Sequence, residues 1–136
     1  MPQNDFNLNI IKEFRANGGQ TSGPFKGAQL LLLTTTGAKS GKVGTTPLVY
    51  TKDGDNFVII ASMGGAPKNP AWYHNIKANP EVTLEVGTEK FQAKASEATG
   101  PERERLYAQQ AAMMPAFNEY KEKTSRTIPV VVLSRA

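Results

Sequence analysis

The spacing of hydrophobic residues changes along the chain, and the change falls near residue 28. In residues 5–17, apolar side chains recur every four residues, which predicts a short amphipathic helix. A glycine-rich stretch follows the helix and predicts a flexible connector. We therefore expect an N-terminal helix with its connector over residues 1–27, followed by one folded domain over residues 28–136.

Beyond residue 28, apolar runs and alternation of apolar and polar residues predict strands. Six are predicted, at residues 28–36, 45–51, 56–62, 82–86, 89–98 and 128–134. Asp53-Gly54 and Gly87-Thr88 each predict a tight turn between two of these strands. Two hairpins and few helical crossovers disfavour a parallel sheet, and six strands in so short a chain have to curl around a shared core. The pattern predicts an α+β fold, mainly β, in which an antiparallel barrel carries short helices on its surface.

Three further helices are predicted among the strands. Residues 70–78 form the first, with Asn69 as its expected cap. Thr99 and Glu102 have the spacing of a capping box at the start of the second. Pro115 separates the second helix from a short third one.

Composition narrows the class of protein, since 136 residues fit one domain. The absence of cysteine excludes disulfides, thiolate nucleophiles and Cys-ligated metals, and the single histidine, His74, excludes a His-rich metal site. We therefore expect no metal. Neither an apolar run of about 18 residues nor a signal-peptide pattern is found. A small cytoplasmic domain is expected, with at most a weak membrane contact through the N-terminal helix.

The net charge of +4 is unevenly distributed. Residues 1–80 hold 8 basic and 4 acidic residues, whereas residues 81–136 hold 8 of each. Between Glu13 and Asp53 there is no acidic residue. Such a positive region attracts phosphate, polycarboxylates, nucleic acid or an anionic membrane, although a merely soluble surface can show the same balance.

The common motifs of protein-based catalysis are absent. The chain has no G-x-S-x-G elbow, no G-x-x-x-x-G-K-[ST] phosphate loop and no G-x-G-x-x-G fingerprint after a strand. One histidine and no cysteine exclude most catalytic triads. If this chain is an enzyme, we expect a bound cofactor to do the difficult chemistry.

Two glycine-containing segments carry candidate polar groups. GAKSGK (37–42) can turn tightly and offer backbone N–H, lysine and serine donors to an oxyanion, and an ordinary hairpin loop is the alternative. GGAPKNPAWYHN (64–75) leads into a helix N-terminus, which favours anions, although Trp72 is also a candidate core residue. The Met- and aromatic-rich segment 113–120 predicts either helix packing or a mobile apolar lid over a flat ligand.

Three blocks of sequence together resemble the deazaflavin-dependent nitroreductase family. They are LTTTGAKSGKVGTTPLVY, DGDNFVIIASMGGAPKNPAWYHNIKANPEV and RTIPVVVL, which lie between about Leu30 and Leu133. The resemblance implies a split β-barrel related to the flavin-nucleotide-binding oxidoreductases. It also implies the reduced form of coenzyme F420, a deazaflavin with a polyanionic phosphodiester and oligoglutamate tail. The implied reaction is hydride transfer to flat electron-poor acceptors: quinones, nitroaromatics, and enone or coumarin-type lactones.

The same resemblance implies roles for individual residues. The cofactor's phosphate and tail are expected to contact Lys39 and Ser40, with Lys42 and Lys68 adding positive charge. The residues expected to line the path to the ring, the ring itself and its far side are Thr45, Thr46, Pro47, Ile60, Ala61, Ser62, Met63, Ala71, Trp72, Tyr73, His74 and Asn75. Ser62 is also the candidate catalytic residue that polarises or protonates the acceptor. The candidate substrate-binding residues are Met114, Phe117 and Tyr120, a set that favours bulky apolar acceptors over nitroimidazoles.

Two other functions compete with this interpretation. An FMN-binding oxidoreductase or flavin-binding protein would share the barrel, but the K-S-G and N-P-x-W-Y segments favour the deazaflavin. A nucleic-acid-binding barrel needs several exposed aromatic residues, and the predicted strands carry only Tyr50, Phe57 and Phe91. We therefore expect a small-molecule substrate, no nucleic acid, and a monomer or weak homodimer.

Overall fold

The computed structural model describes residues 5–21, 29–62, 69–124 and 127–136, and within these ranges the chain forms seven strands and four helices. In chain order they are α1 (Asp5–Ala16), β1 (Leu30–Thr36), β2 (Val43–Val49), β3 (Thr51–Asp53), β4 (Asn56–Ile60), α2 (Ala71–Ala78), β5 (Glu81–Val86), β6 (Glu89–Ala98), α3 (Gly100–Met113), α4 (Ala116–Lys123) and β7 (Val130–Arg135).

The strands form one antiparallel sheet in the order β2-β1-β5-β6-β7-β4-β3. Its two end strands, β2 and β3, are separated along the chain by Tyr50 alone, so the sheet has to curl until its ends meet. This curled half-barrel confirms the predicted fold class. The described residues form seven strands where six are predicted, because the segment 45–51, predicted as one strand, is divided between β2 and β3. The structure interrupts this segment at Tyr50, whose N–H donates to the carbonyl of Gln29 at 3.1 Å.

Both faces of β1, β4 and β7 are covered, which explains the nearly continuous apolar runs in these strands. In β1, Leu31 and Leu33 point into the barrel, whereas Leu30 and Leu32 face α1. We call the barrel filling the inner cluster; its buried members are Leu31, Leu33, Phe57, Ile59, Ala61, Trp72, Ile76, Val82, Leu84, Ala93, Ala95, Val131 and Leu133. The outer cluster joins the other face of β4 and β7 to α3 and α4; its buried members are Val58, Ile60, Ala98, Leu106, Tyr107, Ala111, Phe117, Ile128, Val130 and Val132.

Helix α1 is fixed to the barrel by an apolar stripe and an ion pair. Ile10, Ile11 and Phe14 are buried against the outward face of β1 and β2. Arg15 donates two hydrogen bonds to the carboxylate of Glu85, at 3.0 and 2.8 Å. The predicted helix is confirmed, and the stripe that suggested a membrane contact lies against protein. The predicted division of the chain at residue 27 stays a prediction.

The predicted caps of two helices are wrong. Pro70 rather than Asn69 takes the N-cap position of α2. Thr99 precedes α3 but makes no side-chain capping bond. Gly100 follows it with a φ of 58°, a left-handed conformation that turns the chain abruptly before the helix continues. The side chain of Thr99 therefore does not have the regular geometry of a capping box.

None of the helices in the described part of the chain is long and apolar enough to cross a lipid bilayer. Within the same residues, no group of three or more His, Asp or Glu side chains could hold a metal ion.

Candidate functional site

A cleft of about 710 Å³ lies between the β1–β2 turn and helix α2. The described residues that line it are Gly37, Ala38, Lys39, Ser40, Lys42, Val43, Gly44, Ala71, His74 and Asn75. Two lysines are among them, and no described lining residue carries a carboxylate. We call this feature the cationic cleft, since its charge suits an anionic ligand.

Glycines allow the β1–β2 turn to close tightly. Gly37 donates its N–H to the carbonyl of Lys42 at 2.7 Å, and Gly41 has a φ of 71°. A Cβ on Gly37 would lie 2.5 Å from Oγ of Ser40, so a larger residue there would displace the Ser40 side chain. Oγ of Ser40 accepts the N–H of Lys42 at 3.2 Å, which leaves the hydroxyl proton available for another acceptor. The turn thereby presents lysine and hydroxyl donors on one wall of the cleft.

Helix α2 points successive residues in three directions, as its period of 3.6 residues requires. Trp72 and Ile76 are buried in the inner cluster. Ala71, His74 and Asn75 face the cationic cleft. Helix α2 therefore contributes one face to the barrel core and another to the cleft.

Tyr73 lies on the side of α2 that faces β6. Its hydroxyl donates to Oε1 of Glu97 at 2.7 Å, and Lys77 Nζ donates to the same oxygen at 3.2 Å. Burial, together with the bond to Glu97 and its negative charge, raises the pKa of Tyr73 to about 12. A separate cavity of about 190 Å³ is found there, lined by residues of α2, β6 and β7 that include Tyr73 and Glu97.

Asn75 connects α2 to both β1 and the turn. Its Oδ1 accepts the N–H of Ala38 at 3.0 Å, and its Nδ2 donates to Oγ1 of Thr35 at 3.1 Å. One turn later, Asn79 Nδ2 donates to the carbonyl of Thr36 at 3.4 Å. These bonds fix the helix against the end of β1.

The structure brings six of the predicted cofactor-binding residues together in the cationic cleft. They are Lys39, Ser40, Lys42, Ala71, His74 and Asn75. Their convergence from two distant parts of the sequence agrees with a single binding site. Their role in binding stays a prediction.

The predicted residues of β2 lie beside the cleft, not among its described lining residues. Thr45 and Pro47 pair with Thr34 and Leu32, on the ladder face that continues toward α1. Oγ1 of Thr45 shares a hydrogen bond with Oγ1 of Thr34 at 2.9 Å. Thr46 alternates to the opposite, barrel-side face.

The predicted ring-contacting residues at the end of β4 are buried. Ile60 belongs to the outer cluster and Ala61 to the inner one. Ser62 follows the strand and is 7% exposed. Met63 and Lys68 lie outside the described residues.

The three predicted substrate-binding residues gather at the outer cluster. Phe117 is 6% exposed and belongs to it, while Met114 and Tyr120 pack against it half-buried. The ring of Phe117 lies edge-on to that of Tyr120, with centroids 5.1 Å apart. Ile60, one of the residues predicted to contact the cofactor ring, belongs to the same cluster.

Sequence reasoning missed several residues of the site. Val43 and Gly44 line the cleft but lie outside the predicted binding segment 37–42. The buried hydroxyl of Thr35 was also missed. A signal for it existed, because Thr35 has the same strand parity as the inward-facing Leu31 and Leu33.

Residues 9–135 match the protein family described as F420H(2)-dependent quinone reductase. The chain belongs to this family. The predicted relationship to deazaflavin-dependent reductases is thereby confirmed, whereas nitroreductase activity stays a prediction.

Similar proteins agree with the assignment to the F420H(2)-dependent quinone reductase family. An F420H(2)-dependent quinone reductase of Mycobacterium tuberculosis is 43% identical over 126 residues, which cover 90% of this chain and 85% of that protein. The solved structure of an F420-H2 dependent reductase, FDR-A, is 40% identical with a TM-score of 0.72, covering 78% of this chain and 94% of that one. A structure described as a domain-swapped dimer is 36% identical with a TM-score of 0.74, covering 93% of each chain.

Proposed function

We propose that this protein is an F420H2-dependent oxidoreductase that transfers a hydride from reduced coenzyme F420 to quinones. The observation that carries the proposal is the cationic cleft, found in a chain that belongs to the F420H(2)-dependent quinone reductase family. The donors of the cleft come from the segments that resemble the deazaflavin-binding motifs. Charge, position and family therefore point to the same ligand.

The donor set of the cleft fits the polyanionic tail of the cofactor. Lys39 and Lys42 offer ammonium groups, Ser40 keeps a hydroxyl proton to donate, and no described lining side chain would repel an anion. The start of α2 adds the positive end of its helix dipole. When bound, the reduced deazaflavin supplies the hydride, so no protein nucleophile is needed.

The protein residues are proposed to bind the cofactor, to orient the acceptor and to protonate it. Lys39, Lys42 and Ser40 hold the tail. Ser62, buried at the end of β4, polarises or protonates the acceptor. Phe117 and Tyr120 hold a flat acceptor by aromatic packing, with nitroaromatics and unsaturated lactones as further candidates.

We propose that this protein forms a homodimer, because a structure that is 36% identical to it is described as a domain-swapped dimer. Size-exclusion chromatography with light scattering tests this, and a single monomeric species at assay concentration would contradict it.

Titration of the purified protein with F420 and with FMN tests the cofactor. We expect tighter binding of F420, followed by oxidation of F420H2 when menadione is added. Binding of FMN as tight as that of F420, or no quinone-dependent oxidation, would overturn the proposal. A parallel assay with a nitroimidazole tests the finer question of nitroreduction.

Substitution of Phe117 tests the acceptor site. Phe117→Ala should lower kcat/KM for menadione by roughly 10-fold, because the lost aromatic contact is worth about 1.4 kcal/mol. F420 affinity should stay within about twofold. A thermal melt is needed beside the kinetics, since Phe117 is also a core residue. A collapsed Tm with normal activity of the folded fraction would assign it to the core alone.

A further inference from the structure

Asn75 bridges the two walls of the cationic cleft, and its orientation is set from outside the cleft. Its amide accepts from Ala38 in the turn and donates to Thr35 in β1. Thr35 is 4% exposed and is not among the described residues that line the cleft. One amide therefore links a buried strand hydroxyl, helix α2 and the lysine-bearing turn.

The two hydrogen bonds of Asn75 depend on each other, because an amide has one accepting end and one donating end. The backbone N–H of Ala38 can only donate, so it requires Oδ1. The hydroxyl of Thr35 then serves as the acceptor for Nδ2. If the amide rotated by half a turn, Nδ2 would face the N–H of Ala38, and two donors would oppose each other. The N–H of Ala38 thus selects the orientation of the amide, and the bond to the buried hydroxyl of Thr35 anchors that amide to β1.

We propose that Thr35 is a positioning residue for anion binding: through Asn75, it holds the 37–42 turn at a fixed position relative to α2. The inference rests on the proposed function of the cleft as the site of the F420 tail. A turn that is already ordered loses less conformational entropy when it binds an anion. Removing the hydroxyl of Thr35 should therefore weaken binding without removing any group that touches the ligand.

Thr35 is a cleaner test than Asn75. Substituting Asn75 would also change the wall of the cleft, and Asn75→Asp would place a negative charge there. Thr35→Val keeps the size and shape of the side chain and removes only its hydroxyl. We expect a rise of about fivefold in Kd for F420 and in KM for F420H2, as loss of one hydrogen bond implies, with kcat unchanged at saturation.

Two companion variants distinguish positioning from a general loss of structure. Thr35→Ser keeps the hydroxyl and should restore wild-type affinity. Thr83→Val is the matched control, because Oγ1 of Thr83 accepts the side-chain amide of Gln92 at 3.0 Å within the β5–β6 pair. It should leave F420 affinity unchanged. If Thr35→Val does not fold, Thr35→Ala replaces it in the series.

The results separate this inference from the proposed function. Wild-type affinity in Thr35→Val, or a Thr35→Ser variant as weak as Thr35→Val, overturns the positioning role. Lys39→Ala is measured alongside. If wild-type protein does not bind F420, or Lys39→Ala binds it as tightly as wild type, the cleft is not the tail site and both ideas fail. If Lys39→Ala weakens binding and Thr35→Val does not, only the positioning role fails.

Discussion

Lys39 lines the cationic cleft from an exposed turn, where it buries little surface. Lys39→Ala should raise the Kd for F420 by roughly 10-fold, because a charge-assisted hydrogen bond is worth about 1.5–3 kcal/mol. Its Tm should stay at the wild-type value. Isothermal titration calorimetry and a thermal melt measure the two quantities. Lys94→Ala, an exposed lysine on β6, is the control and should bind normally. Unchanged binding in Lys39→Ala would place the anion site outside the cationic cleft.

Gln110 is fully buried on the face of α3 that packs against the sheet, at 0% exposure. Neither Oε1 nor Nε2 has a hydrogen-bond partner among the described residues. A buried amide that leaves its bonds unmade costs about 1–3 kcal/mol, so Gln110→Met should raise the free energy of unfolding by a similar amount.

Chemical denaturation measures this change. Gln109→Met is the matched control, because Gln109 Nε2 donates to the carbonyl of Lys52 at 2.9 Å and its loss should not stabilise. A fall in stability of Gln110→Met would show that the amide makes favourable bonds in solution.

The contact between α2 and β6 should make the stability of the fold depend on pH. The pKa of Tyr73 is raised to about 12, so the fold favours the neutral phenol. The stability gained from this contact is fully present below the ordinary tyrosine pKa of about 10 and is lost as pH rises from there to about 12. Glu97→Gln removes the negative charge and should return the pKa of Tyr73 toward its ordinary value. Near-ultraviolet titration of tyrosinate detects the shift, with Tyr73→Phe identifying the transition. A titration curve unchanged by Glu97→Gln would contradict the assignment.

The elements of the cleft differ in how well the sequence predicts them. Glycines mark the 37–42 turn and prolines bracket α2, so both elements could be located in advance. The interruption at Tyr50 could not, because no glycine or proline marks it and it depends on a distant carbonyl of Gln29. Residues 71–75 are all predicted to contact one ligand, but the helical period points their side chains in different directions. That period alone separates Trp72, which is buried in the core, from the cleft-facing His74.

At the scale of the whole molecule, the excess positive charge lies at the cationic cleft. No acidic residue lies between Glu13 and Asp53. Among the basic residues of this segment, Arg15 pairs with Glu85, whereas Lys39 and Lys42 line the cleft. Exposed charges are screened over about 10 Å at 0.1 M salt. The Kd for F420 should therefore rise with salt concentration, while KM for an uncharged quinone should change little. Binding of F420 that does not depend on salt would contradict an electrostatic role for this surface.

The order of strands in the sheet also governs the order in which the chain can fold during synthesis. β7 lies between β6 and β4, yet it is the last of the seven described strands along the chain. During synthesis, β1, β2, β5 and β6 can pair with one another as each emerges, whereas the β3–β4 hairpin has to wait through residues 61–129. Two unpaired strand edges are thus open to chaperones and to wrong partners until residues 130–135 leave the ribosome. Insertion of this single strand between the waiting edges completes the barrel in one late event.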